Sequence, residues 1–143
     1  MASPSPEVTL RIETPSQSQT VSLDDLQKQF KPETLKVYNQ VYKREMTYQG
    51  FWLEQVLKIA HFPKGPDVIF ICRDGYTALL PAALIGKHQW LLAYREASGS
   101  WTPLDQGGQQ VSPAPWYLVS AKKASFADFP WPYQIIAIRS LRE

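Results

Sequence analysis

Val68-Ile69-Phe70-Ile71-Cys72-Arg73-Asp74-Gly75-Tyr76 is the stretch whose reading decides the fold. A short unbroken apolar run, introduced by Gly65-Pro66 and stopped by Asp74-Gly75, fits a central strand better than a helix. Its burial is expected to be nearly complete. Asp-Gly supports a tight turn because glycine adopts positive φ without a Cβ penalty. Tyr76, Ala78 and Leu80 then alternate towards Pro81, so the spacing predicts a hairpin or bend.

Upstream, Val8, Leu10 and Ile12 alternate with Thr9, Arg11 and Glu13 at the period of a half-buried strand, and Pro15 to Gln19 reads as a turn. Ser22 with Asp25 three residues later makes a capping-box-like start for a short helix carrying Leu23, Leu26 and Phe30 and ending before Pro32. Thr34 to Tyr42 is predicted to be a strand, with Val37, Asn39 and Val41 on one face. A second extended piece near Glu45 to Tyr48 meets the turn residue Gly50. Leu53, Val56, Leu57 and Ala60 then fall at the i, i+3, i+4, i+7 spacing of an amphipathic helix closed by Pro63.

Downstream, Pro81 to Ile85 can form one helical turn before Gly86. Gln89 to Glu96 resumes a strand through Trp90, Leu92 and Tyr94, and Ser98-Gly99-Ser100 turns the chain. Trp101 to Leu104 and Pro115 to Ser120 read as extended pieces on either side of a polar Asp105 to Gln110 loop. Gln134 to Leu141 is the last strand, reached through Phe129-Pro130-Trp131-Pro132. Many short strands, two modest helices and 12 prolines argue against a doubly wound sheet. The class is therefore α+β, a mixed β-sheet or barrel-like core with a few short helices. Residues 1–7 are expected to be a disordered lead and residues 8–143 a single domain.

The 143 residues fall in the usual range for one domain, on the order of 100–150. Five Trp, seven Tyr and six Phe supply large apolar area for a core. The formal charge is only +2 and the basic residues are spread along the chain, so nucleic-acid binding gets no support. The densest basic pair, Lys122-Lys123, reads as a solvated surface feature. No apolar run approaches the roughly 20 residues of a membrane span, and Met1 to Pro6 has neither a basic n-region nor an apolar h-region. Cys72 is the single cysteine, which excludes an intramolecular disulfide and a multi-cysteine metal site.

Three strings together carry a resemblance: Tyr48-Gln49-Gly50-Phe51-Trp52-Leu53-Glu54-Gln55-Val56-Leu57, then Val68 to Tyr76, then Leu91-Leu92-Ala93-Tyr94-Arg95-Glu96. An aromatic-to-glycine step before a helix with a Leu-rich face, a strand entering an Asp-Gly-Tyr turn, and a strand ending in Leu-Leu-Ala-Tyr resemble the sulfite oxidase-like, molybdopterin-binding fold. The similarity spans Val8 to Leu141 through short, degenerate motifs, and each motif also has a scaffold reading. Gly50 releases a strand into a helix, Leu53 and Leu57 bury its face, and Asp74-Gly75 turns the chain back beside its own sheet.

The resemblance implies a cysteine thiolate ligating molybdenum from a loop that precedes the glycine-to-helix step, since a soft metal needs a soft ligand. Leu35 to Gln49 contains no cysteine, and Cys72 lies beyond the helix inside an apolar strand, where a free cysteine behaves as a small buried hydrophobe. The pterin phosphate would need converging cationic or backbone donors, yet the Asp105 to Gln110 loop offers Gly107-Gly108 and no basic residue. No cofactor is therefore expected.

Other chemistry lacks an anchor. His61 and His88 form no metal-spaced pair, and His61 follows a helix end, where such a side chain needs no catalytic role. No serine sits in a Gly-x-Ser-x-Gly elbow and no phosphate-binding glycine loop is present. Asp24-Asp25 complement a helix dipole. The candidate binding surface is Arg73 and Tyr76, flanking the Asp-Gly turn, with the aromatics Trp116, Trp131 and Tyr133 beside prolines; lids over a small core are the competing explanation for such aromatics.

The leading expectation is a non-catalytic domain that binds a protein partner or a small ligand. By resemblance it is exported to the periplasm or cell surface and takes part in a redox or respiratory pathway, where the partner could be a redox protein. The alternatives are a molybdopterin-dependent oxidoreductase with an atypical metal site and a carbohydrate- or peptide-binding module using exposed tryptophans.

Overall fold

The computed structural model describes residues 8–62, 65, 67–122, 125–129 and 131–141. The expected lead over residues 1–7, the helix stop at Pro63, and Pro66, Lys123 and Pro130 lie outside the described residues.

β1 (Thr9–Glu13) buries Leu10 and Ile12 and exposes Thr9 and Arg11, as its alternation predicts. The turn expected up to Gln19 is shorter. Thr14 and Gln17 exchange backbone hydrogen bonds, and β2 (Ser18–Ser22) returns antiparallel to β1. β2 escaped the pattern because an edge strand with a polar outer face needs few apolar residues; only Val21 and Ser22 are buried in it. α1 (Leu23–Gln29) has the predicted capping box: the Asp25 amide donates to Ser22 Oγ at 3.0 Å and the Ser22 amide to Asp25 Oδ2 at 3.3 Å.

β3 (Glu33–Asn39) stops three residues before the strand predicted to reach Tyr42. Asn39 Oδ1 accepts the amides of Val41 (2.9 Å) and Tyr42 (3.4 Å), winding residues 40–43 into a turn. Val41, expected on the buried face with Val37 and Asn39, is accordingly 46% exposed.

β4 (Arg44–Trp52) corrects the reading of Gly50. The strand runs through this glycine to Trp52 with a register shift between Gln49 and Gly50, so Gly50 is not the turn between strand and helix. A Cβ there would lie 2.1 Å from the Leu92 carbonyl oxygen and 2.7 Å from Ala93 Cα, so glycine is required by close backbone approach. α2 (Leu53–Ile59) buries Leu53, Val56 and Leu57 and is followed by buried Ala60, the predicted stripe.

β5 (Asp67–Cys72) and β6 (Thr77–Leu80) form the predicted hairpin, with Gly75 at φ 91°. The expectation of near-complete burial fails for alternate residues. Val68, Phe70 and Cys72 are buried, whereas Ile69 and Ile71 point to the other face and are half-buried, because this antiparallel neighbourhood packs one face on the core.

α3 (Ala82–Lys87) continues through Gly86 and ends two residues beyond Ile85, the predicted last residue of this turn. β7 (Trp90–Glu96) buries Trp90 through Ala93 without a break. The polar loop is itself a small hairpin, β8 (Leu104–Gln106) and β9 (Gln109–Val111), turned by Gly107-Gly108. β10 (Tyr117–Ser120), α4 (Ser125–Asp128), which the sequence reading missed, and β11 (Ile135–Leu141) complete the order.

The strands assemble as β2-β1-β11-β5-β6, as β10-β7-β4-β3, and as the separate β8-β9 ribbon. All pairings are antiparallel except β1 with β11. The result is a mostly-sheet α+β fold with a curled half-barrel sheet and few short helices. The buried faces of both large sheets feed one core cluster, from Leu10 and Phe70 in the first to Phe51 and Leu118 in the second. No helix among the described residues is long and apolar enough to cross a membrane.

One polar knot sits in this core. Asn39, with no exposed surface, donates through Nδ2 to the hydroxyls of Tyr48 and Tyr117, each at 3.0 Å, while its Oδ1 holds the turn at residues 41 and 42. Burial raises the pKa of both phenols, that of Tyr117 to about 12, so they remain neutral hydrogen-bonding groups at ordinary pH.

Two stability outcomes follow from these contacts. Gly50→Ala is expected to lose about 3 kcal/mol or more, because strand backbone must move to admit the methyl; a loss under about 0.5 kcal/mol in urea unfolding would refute the close-approach account. Asn39→Ala is expected to cost about 2–4 kcal/mol by stranding two phenols and two amides. The denaturation midpoint of that variant checks this.

Candidate functional site

The β5–β6 turn forms one wall of a groove of about 280 Å³. The Asp74 carboxylate caps the turn, its Oδ1 accepting the Tyr76 amide at 3.0 Å, while Gly75 N donates to Cys72 O at 2.9 Å and Cys72 N to Tyr76 O at 2.8 Å. Tyr76 is left 61% exposed at the rim and the Cys72 side chain lines the interior.

The opposite wall is Trp131, Pro132 and Tyr133, the approach to β11. Several hydrogen bonds pin this segment. Trp131 Nε1 donates to Ser125 Oγ at 3.1 Å, and that hydroxyl donates to Lys122 O at 2.6 Å. Leu118 N donates to Pro132 O at 3.0 Å, and Gln134, at φ 57°, donates from its backbone to Pro113 O at 2.8 Å and from its side chain to Ser112 O at 2.9 Å. Arg73 N donates to Gln134 O at 2.8 Å, tying the two walls together. Gln106 of β8 closes the groove, its Nε2 donating to Tyr133 Oη at 3.0 Å, and the Tyr133 ring packs edge-on against Tyr117 at 6.2 Å.

Of the five sequence-selected residues, Tyr76, Trp131 and Tyr133 meet in this groove. Arg73 adjoins it in the turn with an exposed side chain and does not line it. Trp116 is a correction: it is fully buried, its Nε1 donating to Thr9 O at 3.0 Å and its ring edge-on to Tyr94 at 6.2 Å, so it is a core residue joining the two sheets. Trp131 too is only 5% exposed and acts as wall rather than as a presented ring. Asp74, Gln106 and Pro132 were not selected as site residues. Asp74 reads as turn chemistry in the sequence, and nothing in a polar loop at residue 106 signals that it will reach residue 133.

The groove's electrostatics disfavour both a thiolate and a bound anion. Desolvation, and then the Asp74 charge, push the Cys72 thiol up to about 11, and Tyr133 is raised by burial, then by Asp74, Cys72 and Tyr76, against the lowering effect of the Gln106 hydrogen bond. A molybdenum-pterin group requires a soft anionic ligand and cations facing its phosphate. These residues do not fit its phosphate: the lining side chains include a carboxylate and no Lys, Arg or His. Gly107-Gly108 is spent on the β8–β9 turn, where Gly108 N donates to Asp105 Oδ1 at 3.1 Å, so it forms no phosphate cradle.

Elsewhere, His61 is exposed at φ 55° just after α2, and buried His88 caps α3 with Nε2 2.8 Å from Asp128 Oδ2; this contact, foremost, lowers the Asp128 pKa. Among the described residues no three His, Cys, Asp or Glu side chains gather as a metal site. A second hollow of about 250 Å³, between α2 and α3 and lined by Gln55, Ile85 and Trp90 among others, has a single charged group, Glu54. A scan against protein-family models finds no match, and neither does a search of curated proteins.

The thiol provides a direct check. At pH 8 Cys72 is expected to react with iodoacetamide at least about 100-fold more slowly than a free cysteine, with a rate that climbs with pH as the thiolate forms towards about 11. A rate matching free cysteine at pH 8 would contradict the account of this wall.

Proposed function

We propose that the protein is a non-catalytic binding module on a scaffold of the sulfite oxidase-like type, and that its ligand occupies the groove between the Asp74 turn and Tyr133. The observation that carries this reading is the aromatic lining held by hydrogen bonds on both sides, beside a thiol whose ionisation is opposed by burial and by Asp74. Hydrogen bonds on both sides hold Trp131 and Tyr133 in place, which is what a preformed recognition site needs. The groove's strongest potential nucleophile, Cys72, has no Lys, Arg or His among the residues lining the groove, and burial and the Asp74 charge disfavour its anionic form. Export to the periplasm and service to a redox partner belong to the same proposal and rest on the motif resemblance; fractionation of the native cells tests the location.

The exposed ring of Tyr76 favours a second reading, a carbohydrate-binding module in which that ring stacks on a sugar.

The test is a titration of the ¹⁵N-labelled protein with a panel of sugars, short peptides, amino acids, amines and pterins. Chemical-shift changes are expected to cluster at residues 72–76, 106 and 131–133 and to be lost in Tyr133→Leu. Changes confined to the Gln55–Trp90 hollow, or silence across the panel, would remove the groove as the site. Sulfite oxidation by protein loaded with molybdopterin would remove the non-catalytic reading.

A further inference from the structure

Resting on the reading of the groove as the binding site, we propose that its ligand is a small molecule carrying a methylated ammonium head, received against Tyr76, Trp131 and Tyr133 with Asp74 as counter-charge. Three features of the groove point there. Three of its lining residues, Tyr76, Trp131 and Tyr133, are aromatic, and an aromatic ring attracts a cation placed over its face. Its only formally charged lining residue is a carboxylate, and that charge reaches the interior: Asp74 is a cause of the upward shift of both Cys72 and Tyr133. A cation placed here would relieve the same repulsion that now disfavours the thiolate and the phenolate.

Geometry then selects among cations. Asp74 Oδ1 already accepts the Tyr76 amide, so part of the carboxylate's acceptor capacity is used within the turn. Tyr133 Oη already accepts from Gln106. A primary ammonium needs several acceptors, whereas a methylated head needs few and gains from apolar and π contact. A groove of about 280 Å³ suits a small free head group and a short tail.

The experiment compares choline with its uncharged isostere 3,3-dimethyl-1-butanol on the full chain, followed by ¹⁵N shifts and intrinsic fluorescence. Choline is expected to shift residues 72–76 and 131–133 and to bind at least about tenfold more tightly than the isostere. Asp74→Asn keeps the turn-capping oxygen and removes the charge, and is expected to weaken choline about tenfold while leaving the isostere unchanged. Tyr76→Phe is expected to retain binding and Tyr76→Leu to lose it, both variants altering only an exposed rim residue. Equal affinity for the two probes, or choline binding indifferent to Asp74→Asn, overturns the cation assignment. Neutral sugars or anions shifting the groove residues where choline does not would overturn it while the binding-module reading stands. If no probe of any class shifts those residues, both fall.

Discussion

The pairing of Ile135 with Cys72, where β11 enters the first sheet between β1 and β5, is the constraint on which the architecture turns. β11 is the last strand in the chain, yet it lies at the centre of its sheet, parallel to the first strand and antiparallel to β5. Residues 131–134 must therefore pass the end of β5, and this passage lays Tyr133 opposite the Asp74 turn. The register shift between Ile135 and Ala137 and the left-handed conformation of Gln134 absorb the change of direction. Backbone hydrogen bonds from Gln134 to Pro113 and from Ile135 to Trp116 accompany them. The groove is thus a consequence of strand order rather than of a local motif.

A second organising device works in the other sheet. Asn39 ends β3, shapes the turn into β4, and bonds to one phenol on β4 and another on β10. A buried amide is costly unless its donors and acceptor are used, and here both ends are used. The knot therefore favours one register of three strands over its alternatives, and it abuts the groove through the edge-on contact of Tyr117 with Tyr133. Core specificity and site geometry share this contact, which couples the rigidity of the interior to the position of one groove wall.

The chemistry of the groove follows from sign. Cys72, Asp74 and the nearby phenols bring together groups whose ionised forms are all negative, so burial and mutual repulsion keep the thiol and the phenol protonated. That arrangement is poorly suited to the dianionic phosphate of a molybdenum-pterin group. The absence of cysteine from Leu35 to Gln49 points the same way from sequence alone.

What the sequence determined by itself was local. Alternation marked β1 and β6, helical spacing marked α2, the Ser22–Asp25 pair marked a capping box, and Asp74-Gly75 marked a turn, because each of these signals depends on neighbours within a few residues. The aromatic composition foretold a substantial core, and Tyr76, Trp131 and Tyr133 could be singled out by their turn and proline neighbours. Tertiary structure decided what depends on distant backbone. It put Gly50 against the Leu92 carbonyl, ended β3 at an inward-turned Asn39, and gave the polar β2 a place at a sheet edge. It also buried Trp116 between sheets while leaving Tyr76 at a rim, and carried Gln106 to Tyr133. A tryptophan near a proline reads the same whether it lines a surface or fills a core; only the strands that close over it make the difference.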